Sequence, residues 1–129
     1  FFKGMPMRYI AIIDDSPTMR ASVMLTLKPF GYNVLQAQHG AEGLDVIQKA
    51  IAEGHEIALT ICDINMPVLD GIGFINEFRK FDKFTPILVL TTESEQATIQ
   101  KGKQAGASGW LIKPFKPDEL IQSVERLIR

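Results

Sequence analysis

The chain has 129 residues, of which 46% are hydrophobic and 22% charged, the size and composition of one domain with a filled core rather than a disordered segment. Its 14 lysines and arginines nearly balance 15 aspartates and glutamates, a net charge of −1 that argues against non-specific nucleic-acid binding. A single cysteine rules out an internal disulfide and a thiolate zinc site and suits a reducing, cytoplasmic setting, while apolar runs such as Ile10 to Ile13 and Ile87 to Leu90 are too short to cross a bilayer.

Phe1 to Met7 holds neither a signal-peptide stretch nor a helical pattern and is set aside as an N-terminal extension. Met5 and Met7 are both candidate native starts, so Phe1 to Gly4 is expected to be a remnant ahead of them, and residues 8–129 are read as one domain. Arg8 to Ile13 is apolar without alternation, as in a strand buried on both faces. Asp14, Asp15 and Ser16 end it, and Pro17 opens a helix whose face is Met19, Val23, Leu27 and Phe30, closed by Gly31. Asn33 to Gln38 is a more polar strand, expected at a sheet edge. Ala41 to Glu53 is a second helix with Leu44, Ile47 and Ile51 on its buried face and Gly54 just past its end. Ile57 to Cys62 is a third strand, ending at Asp63. Gly71 to Phe81 places Ile75 and Phe78 at helical spacing, and Pro86 to Leu90 is a fourth strand running into Thr91 and Thr92. A fourth helix over Glu95 to Ala105 is poor, with Ile99 as its one large apolar residue and Gly102 interrupting it at a cost of about 1 kcal/mol relative to Ala. Ser108 to Ile112 is a fifth strand, Lys113 and Pro114 follow, and a last helix from Pro117 carries Leu120, Val124, Leu127 and Ile128 on one side.

Five strands alternating with five helices predict an α/β fold, a doubly wound parallel sheet with helices on both faces. The flavodoxin-like order 2-1-3-4-5 puts the polar second strand at an edge and the first and third strands inside. In such sheets ligands bind outside the carboxyl ends of the strands, where strand order reverses. That rule gathers Asp14, Asp15, Asp63, Thr91 and Lys113 at one rim, although Asp14 and Lys113 are 99 positions apart. Three carboxylates about 5 Å apart repel by roughly 3 kcal/mol per pair at an effective dielectric near 20. The sum is comparable with the whole stability of a domain, about 5–15 kcal/mol. Such a cluster needs protonation, a nearby cation or a bound metal, and Lys113 supplies only one positive charge. Mg2+ suits it best, because that ion accepts one or two carboxylates and keeps water and phosphate oxygens as further ligands. Beside a phosphoryl group, Asp63 is the natural nucleophile, Lys113 neutralises oxygens, and the Thr91 hydroxyl donates a hydrogen bond. Each of these residues alone reads as an ordinary turn, cap or strand end. Their joint placement at four strand ends carries the functional reading.

The combination Asp14-Asp15, Asp63 with Asn65-Met66-Pro67 and Asp70-Gly71, Thr91, and Lys113-Pro114-Phe115 resembles the receiver domain of two-component response regulators over Arg8 to Ile128. The stretches Asp14-Asp15-Ser16-Pro17-Thr18-Met19-Arg20 and Ala105-Gly106-Ala107-Ser108-Gly109 are most similar to the small CheY-type chemotaxis regulators. The resemblance implies that Asp63 accepts phosphate from a phosphohistidine on a CheA-like sensor histidine kinase. Asp15 and Asp63 would bind Mg2+ directly, Asn65 through its backbone carbonyl and Asp14 through water. Thr91 and Trp110 would form a switch pair, with Trp110 where the family usually has tyrosine or phenylalanine. Lys113 would pair with phosphoryl oxygens, and its bond to Pro114 would be cis. Asn65 and Glu93 would set how long the phosphate survives, and the branched Thr92, where alanine or glycine is frequent, is expected to slow dephosphorylation. The fourth helix, fifth strand and fifth helix would present the altered surface to a protein target such as the flagellar motor switch. The implied protein is a cytoplasmic monomer that inserts in no membrane, binds no nucleic acid and turns over no external substrate.

Other features read plainly. Cys62 is expected to pack beside Asp63, His39 and His55 to be unpaired surface or loop residues, at most Met19 among Met5, Met7, Met19 and Met24 to lie on a core face, and Lys101 to Lys103 to be solvated. Gly71-Ile72-Gly73 is no dinucleotide fingerprint. The competing readings are a receiver excised from a longer regulator, a magnesium-dependent phosphatase of the haloacid dehalogenase kind, and a flavin-binding module. The phosphatase family uses Asp-x-Asp where this chain has Asp14-Asp15-Ser16, and two aspartates would repel a flavin phosphate.

Overall fold

A computed structural model describes residues 6–66 and 68–128. Phe1 to Met5 of the proposed extension, Pro67 of the Asn65-Met66-Pro67 motif, and Arg129 lie outside the described residues. The strands are β1 (Arg8–Ile13), β2 (Asn33–Ala37), β3 (Glu56–Cys62), β4 (Ile87–Thr91) and β5 (Gly109–Ile112). All pair in parallel in the order β2-β1-β3-β4-β5, as the alternation predicts. The helices are α1 (Pro17–Leu27), α2 (Gly40–Ala52), α3 (Gly71–Phe81), α4 (Gln96–Ala105) and α5 (Pro117–Leu127).

Successive strand residues point to opposite faces, so each central strand feeds two cores. Ala11 and Ile13 meet Ile47 of α2 and Phe74, Ile75 and Phe78 of α3. Ile10 and Ile12 meet Val23 and Leu27 of α1 and Leu120 and Val124 of α5. Helices α1 and α3 start where side chains answer their free amides: Ser16 Oγ accepts from Met19 N at 3.2 Å, and Asp70 Oδ1 accepts from Gly73 N at 2.8 Å. After α1 a short 3-10 turn, Lys28–Phe30, ends at Gly31 in the left-handed region with φ 77°. Gly71 has a different task. A Cβ there would lie 2.2 Å from the Asp63 carbonyl oxygen, so only glycine lets α3 start directly against the end of β3.

Element boundaries depart from the sequence expectations by a residue or so, and four side chains, Ile51, His39, His55 and Met24, lie in other surroundings than expected. Ile51 is 40% exposed; α2 buries Gly40, Gly43, Ile47 and Ala50 instead. A Cβ at Gly43 would sit 2.6 Å from Ile13 Cδ1, so the glycine draws the helix onto the sheet and rotates Ile51 outward. His39 and His55 are not unpaired. His39 Nδ1 accepts from Glu42 N at 3.1 Å and caps α2, while His55 Nδ1 accepts from Met7 N at 3.1 Å and packs edge-on against Tyr9. Each answers a backbone amide that has no carbonyl to bond. Met24 joins Met19 against the second core.

Thr60 in β3 is fully buried, and its hydroxyl has no hydrogen-bond partner among the described residues. An unsatisfied buried hydroxyl costs about 1–3 kcal/mol. Thr60→Val, which keeps the shape and removes the polar atom, is expected to raise the unfolding free energy by about 1 kcal/mol in urea titrations. A loss of stability of that size would mean that the hydroxyl is satisfied in solution.

Candidate functional site

The carboxyl ends of β1, β3, β4 and β5 bring Asp14, Asp15, Asp63, Thr91 and Lys113 to one rim, as the switch-point rule predicts. One carboxylate oxygen from each of Asp14, Asp15 and Asp63 lies within 4.8 Å of the others. The three are held differently. Asp14 is buried; its Oδ1 accepts from Ser16 N at 2.9 Å and its Oδ2 from Lys113 Nζ at 2.9 Å. Asp63 is buried; its Oδ1 accepts from Ile64 N at 2.7 Å and Asn65 N at 3.3 Å, and its Oδ2 faces Lys113 Nζ at 3.3 Å. Asp15 is exposed, and its carboxylate accepts no hydrogen bond among the described residues. A carboxylate offers about four lone-pair positions, so these contacts orient the group without saturating it.

Lys113 is the counter-charge. Burial of its ammonium pulls its pKa down, but hydrogen bonds and charge from Asp14 and then Asp63 outweigh this and leave it above the usual lysine value. The ion pair therefore contributes fully below the ordinary lysine pKa and is lost as pH rises through the raised folded-state value. Next to the acids, Cys62 is completely buried, as expected from the sequence; burial first and the charges of Asp63 and Asp14 second push its thiol up, so it stays protonated and takes no part in the chemistry.

Thr91 is fully buried at the end of β4, and its hydroxyl oxygen accepts from Glu93 N at 3.2 Å, which leaves its proton free to donate. Asn65 and Thr92 are exposed at the rim and Glu93 is half-buried. Trp110 is half-buried, with its indole N–H donating to the Glu93 carbonyl at 3.1 Å. The large ring has room because of Gly102. A Cβ at 102 would stand 2.4 Å from Trp110 Cζ3, so the glycine that weakens α4 as a helix is the seat for the indole. The Lys113–Pro114 peptide is cis, as the resemblance implies.

The donor set suits a hard divalent cation: oxygen ligands only, one carboxylate with no protein partner, and one ammonium for three acids. A surface groove at the amino ends of the strands, near Arg8, His55 and Phe84, is remote from this rim. The sequence pattern gives Arg20 no role at the site, yet its guanidinium bonds the Asp14 carbonyl. Its one signal in the sequence is its position a helical turn past Ser16, the cap that follows the Asp pair. Gly102→Ala is expected to push the indole off α4, shifting Trp110 emission to the red; an unchanged spectrum would mean that the ring does not rest on residue 102.

A family model described as the response regulator receiver domain matches residues 10–125. A chemotaxis protein CheY homolog of Campylobacter jejuni is 32% identical over 122 residues, which are 92% of this chain and 91% of that protein. The sensor histidine kinase CheAY of Helicobacter pylori is 35% identical over 131 residues, which are 98% of this chain but only 16% of the kinase. The crystal structure of the chemotaxis response regulator CheY4 of Vibrio cholerae superposes with a TM-score of 0.84 at 41% identity, covering 95% of this chain and 99% of that one. The chain belongs to the response regulator receiver domains and is of the CheY type.

Proposed function

We propose that this chain is a phosphorylation-activated signalling switch of a two-component system, with Asp63 as the phosphoacceptor. The observation that carries the reading is the placement of Asp63 against Asp14, Asp15 and Lys113, oriented by two backbone amides that do not saturate its carboxylate. A carboxylate oxygen of Asp63 attacks the phosphorus of a phosphohistidine, the P–N bond breaks, and the imidazole leaves with the electron pair. Water later attacks the aspartyl phosphate, releasing inorganic phosphate and restoring the carboxylate. No external substrate is turned over. Lys113 exchanges part of its contact with Asp63 for phosphoryl oxygen, and the free Thr91 proton donates to another. Asp14, Asp15 and Asp63 are the residues to hold Mg2+, with the Asn65 backbone carbonyl beside them. When bound, the ion supplies neutralisation of the charge on the phosphoryl oxygens.

The switch runs through Thr91 and Trp110. When the Thr91 hydroxyl turns to the phosphoryl group it releases Glu93 N, and the Glu93 carbonyl is the acceptor of the Trp110 indole. The surface of α4, β5 and α5 is thereby offered in a different form to a protein target, for which the flagellar motor switch is the candidate, and a CheA-like histidine kinase is the donor. Asn65, Thr92 and Glu93 at the rim govern how water reaches the phosphate. Residues 8–129 are the receiver unit in this reading, residues 1–7 an extension, and the functioning form a monomer in the cytoplasm. Among the described residues no helix is long and apolar enough to cross a membrane. The match to CheAY over a small part of that kinase favours a second arrangement, the same receiver unit carried within a longer protein; the length of the native gene product separates the two.

Incubation with acetyl phosphate and Mg2+ is expected to add one phosphoryl group by intact mass, and Asp63→Ala to remove the adduct entirely. In the same assay Thr92→Ala is expected to shorten the phosphate lifetime severalfold. No adduct, or an adduct that persists in Asp63→Ala, would overturn the assignment; an equal or longer lifetime in Thr92→Ala would end the proposed role of that residue.

A further inference from the structure

We infer that Arg20 is a positioning residue for the acidic trio, gripping the peptide between Asp14 and Asp15 so that the Asp15 carboxylate stands where a divalent cation meets it. The inference rests on the reading of the trio as a magnesium site. Arg20 lies in the first turns of α1, and its own amide donates to the Ser16 carbonyl at 3.0 Å, so its side chain starts from a fixed helical turn. Its Nη1 donates to the Asp14 carbonyl, and its Nε donates to Gln36 Oε1 of β2 at 3.1 Å. The Asp14 amide in turn donates to the Ala37 carbonyl at 3.1 Å. The loop after β1 is thus tied to β2 through backbone on one side and through Arg20 on the other.

The carbonyl that Arg20 holds belongs to the peptide unit leading into Asp15, so its direction sets the direction in which the Asp15 side chain leaves the chain. That matters for Asp15 alone. Asp14 has Ser16 N and Lys113 on its carboxylate, and Asp63 has two amides and Lys113, whereas among the described residues no hydrogen bond or ion pair reaches the Asp15 carboxylate. Its placement in the trio comes from the backbone. Arg20 also sets a permanent positive charge behind the cluster without covering any carboxylate oxygen, which lowers the mutual repulsion of the acids and leaves the ligand atoms free. A plain structural role for α1 is the weaker explanation, because a cation near a helix N-terminus opposes the helix dipole. The planar fork reaches the Asp14 carbonyl and Gln36 together, which the single ammonium of a lysine does less well.

The test compares the full chain with Arg20→Ala, Arg20→Lys and Gln36→Ala by calorimetric titration with Mg2+ and by phosphorylation from acetyl phosphate across Mg2+ concentrations. Arg20→Ala is expected to weaken Mg2+ binding by about tenfold, the size of effect typical when a group behind a metal ligand is removed. The Mg2+ concentration for half-maximal phosphorylation should rise by the same factor, while the rate at saturating Mg2+ stays within about twofold of the parent. Arg20→Lys should restore part of the affinity and Gln36→Ala lose part of it, and these two carry the test if Arg20→Ala does not fold. Unchanged Mg2+ affinity in the variants, or a loss of rate that saturating Mg2+ does not repair, would overturn the role of Arg20 while the parent still binds the ion. A parent chain that ignores Mg2+ would overturn this inference together with the reading it rests on.

Discussion

Lys113 stands 2.9 Å from Asp14 and 3.3 Å from Asp63 and is the only ammonium among the described residues in contact with these acids, while Asp15 completes the trio without a partner. Three carboxylates with one ammonium in contact is an arrangement that a fold does not reach by minimising its own energy. The sheet imposes it. Backbone pairing fixes where β1, β3 and β5 end, and backbone amides at Ser16, Ile64 and Asn65 hold the Asp14 and Asp63 carboxylates in place at those ends. The result is a site with a standing demand for cationic charge. Under the proposed function, a metal ion and a phosphoryl group would meet that demand together, since the ion's charge would offset both the acids and the incoming anion.

A contiguous set of contacts leads away from this rim. The Thr91 hydroxyl holds Glu93 N, the Glu93 carbonyl holds the Trp110 indole, and the ring rests on Gly102 of α4. Of the residues in α4, Gly102 alone is buried, so the helix is retained by its ends more than by a core. Its far end is tied by Arg79, whose Nε and Nη2 donate to the Gly106 carbonyl at 3.2 and 2.9 Å. An element anchored by a few polar contacts, with little buried apolar surface, is displaced at low cost. Trp110 is large for its position, and Gly102 provides the space.

Much of this was legible in the chain itself. Uninterrupted apolar strands, periodic helices and the polarity of Asn33 to Ala37 suffice for the strand order, because few right-handed arrangements bury the first and third strands and leave the second at an edge. The rim residues follow from strand ends. What periodicity could not reveal depends on distances between elements. Ile51 has the right spacing for a core residue, and only the close seating of Gly43 on Ile13 turns it outward. Gly102 looks like a defect in a weak helix until the Trp110 ring is placed over it. His39 and His55 serve amides whose lack of a carbonyl partner is a property of the folded backbone, and Arg20 binds a main-chain oxygen, which no pairing of side-chain charges discloses.

Under the proposed function the acids are held together against their own repulsion, and a divalent cation relieves it. Asp15→Asn isolates this, because it removes one charge from the trio and breaks no hydrogen bond or ion pair among the described residues. Urea unfolding of the parent and the variant, each in chelator and in tens of millimolar Mg2+, is the direct measurement. In chelator the variant is expected to be more stable than the parent by about 1 kcal/mol, the repulsion being reduced by the exposure of Asp15. Mg2+ is expected to stabilise the parent clearly and the variant much less. A variant no more stable than the parent in chelator, with an equal or absent response to Mg2+ in both, would mean that the acids do not repel and take up no cation.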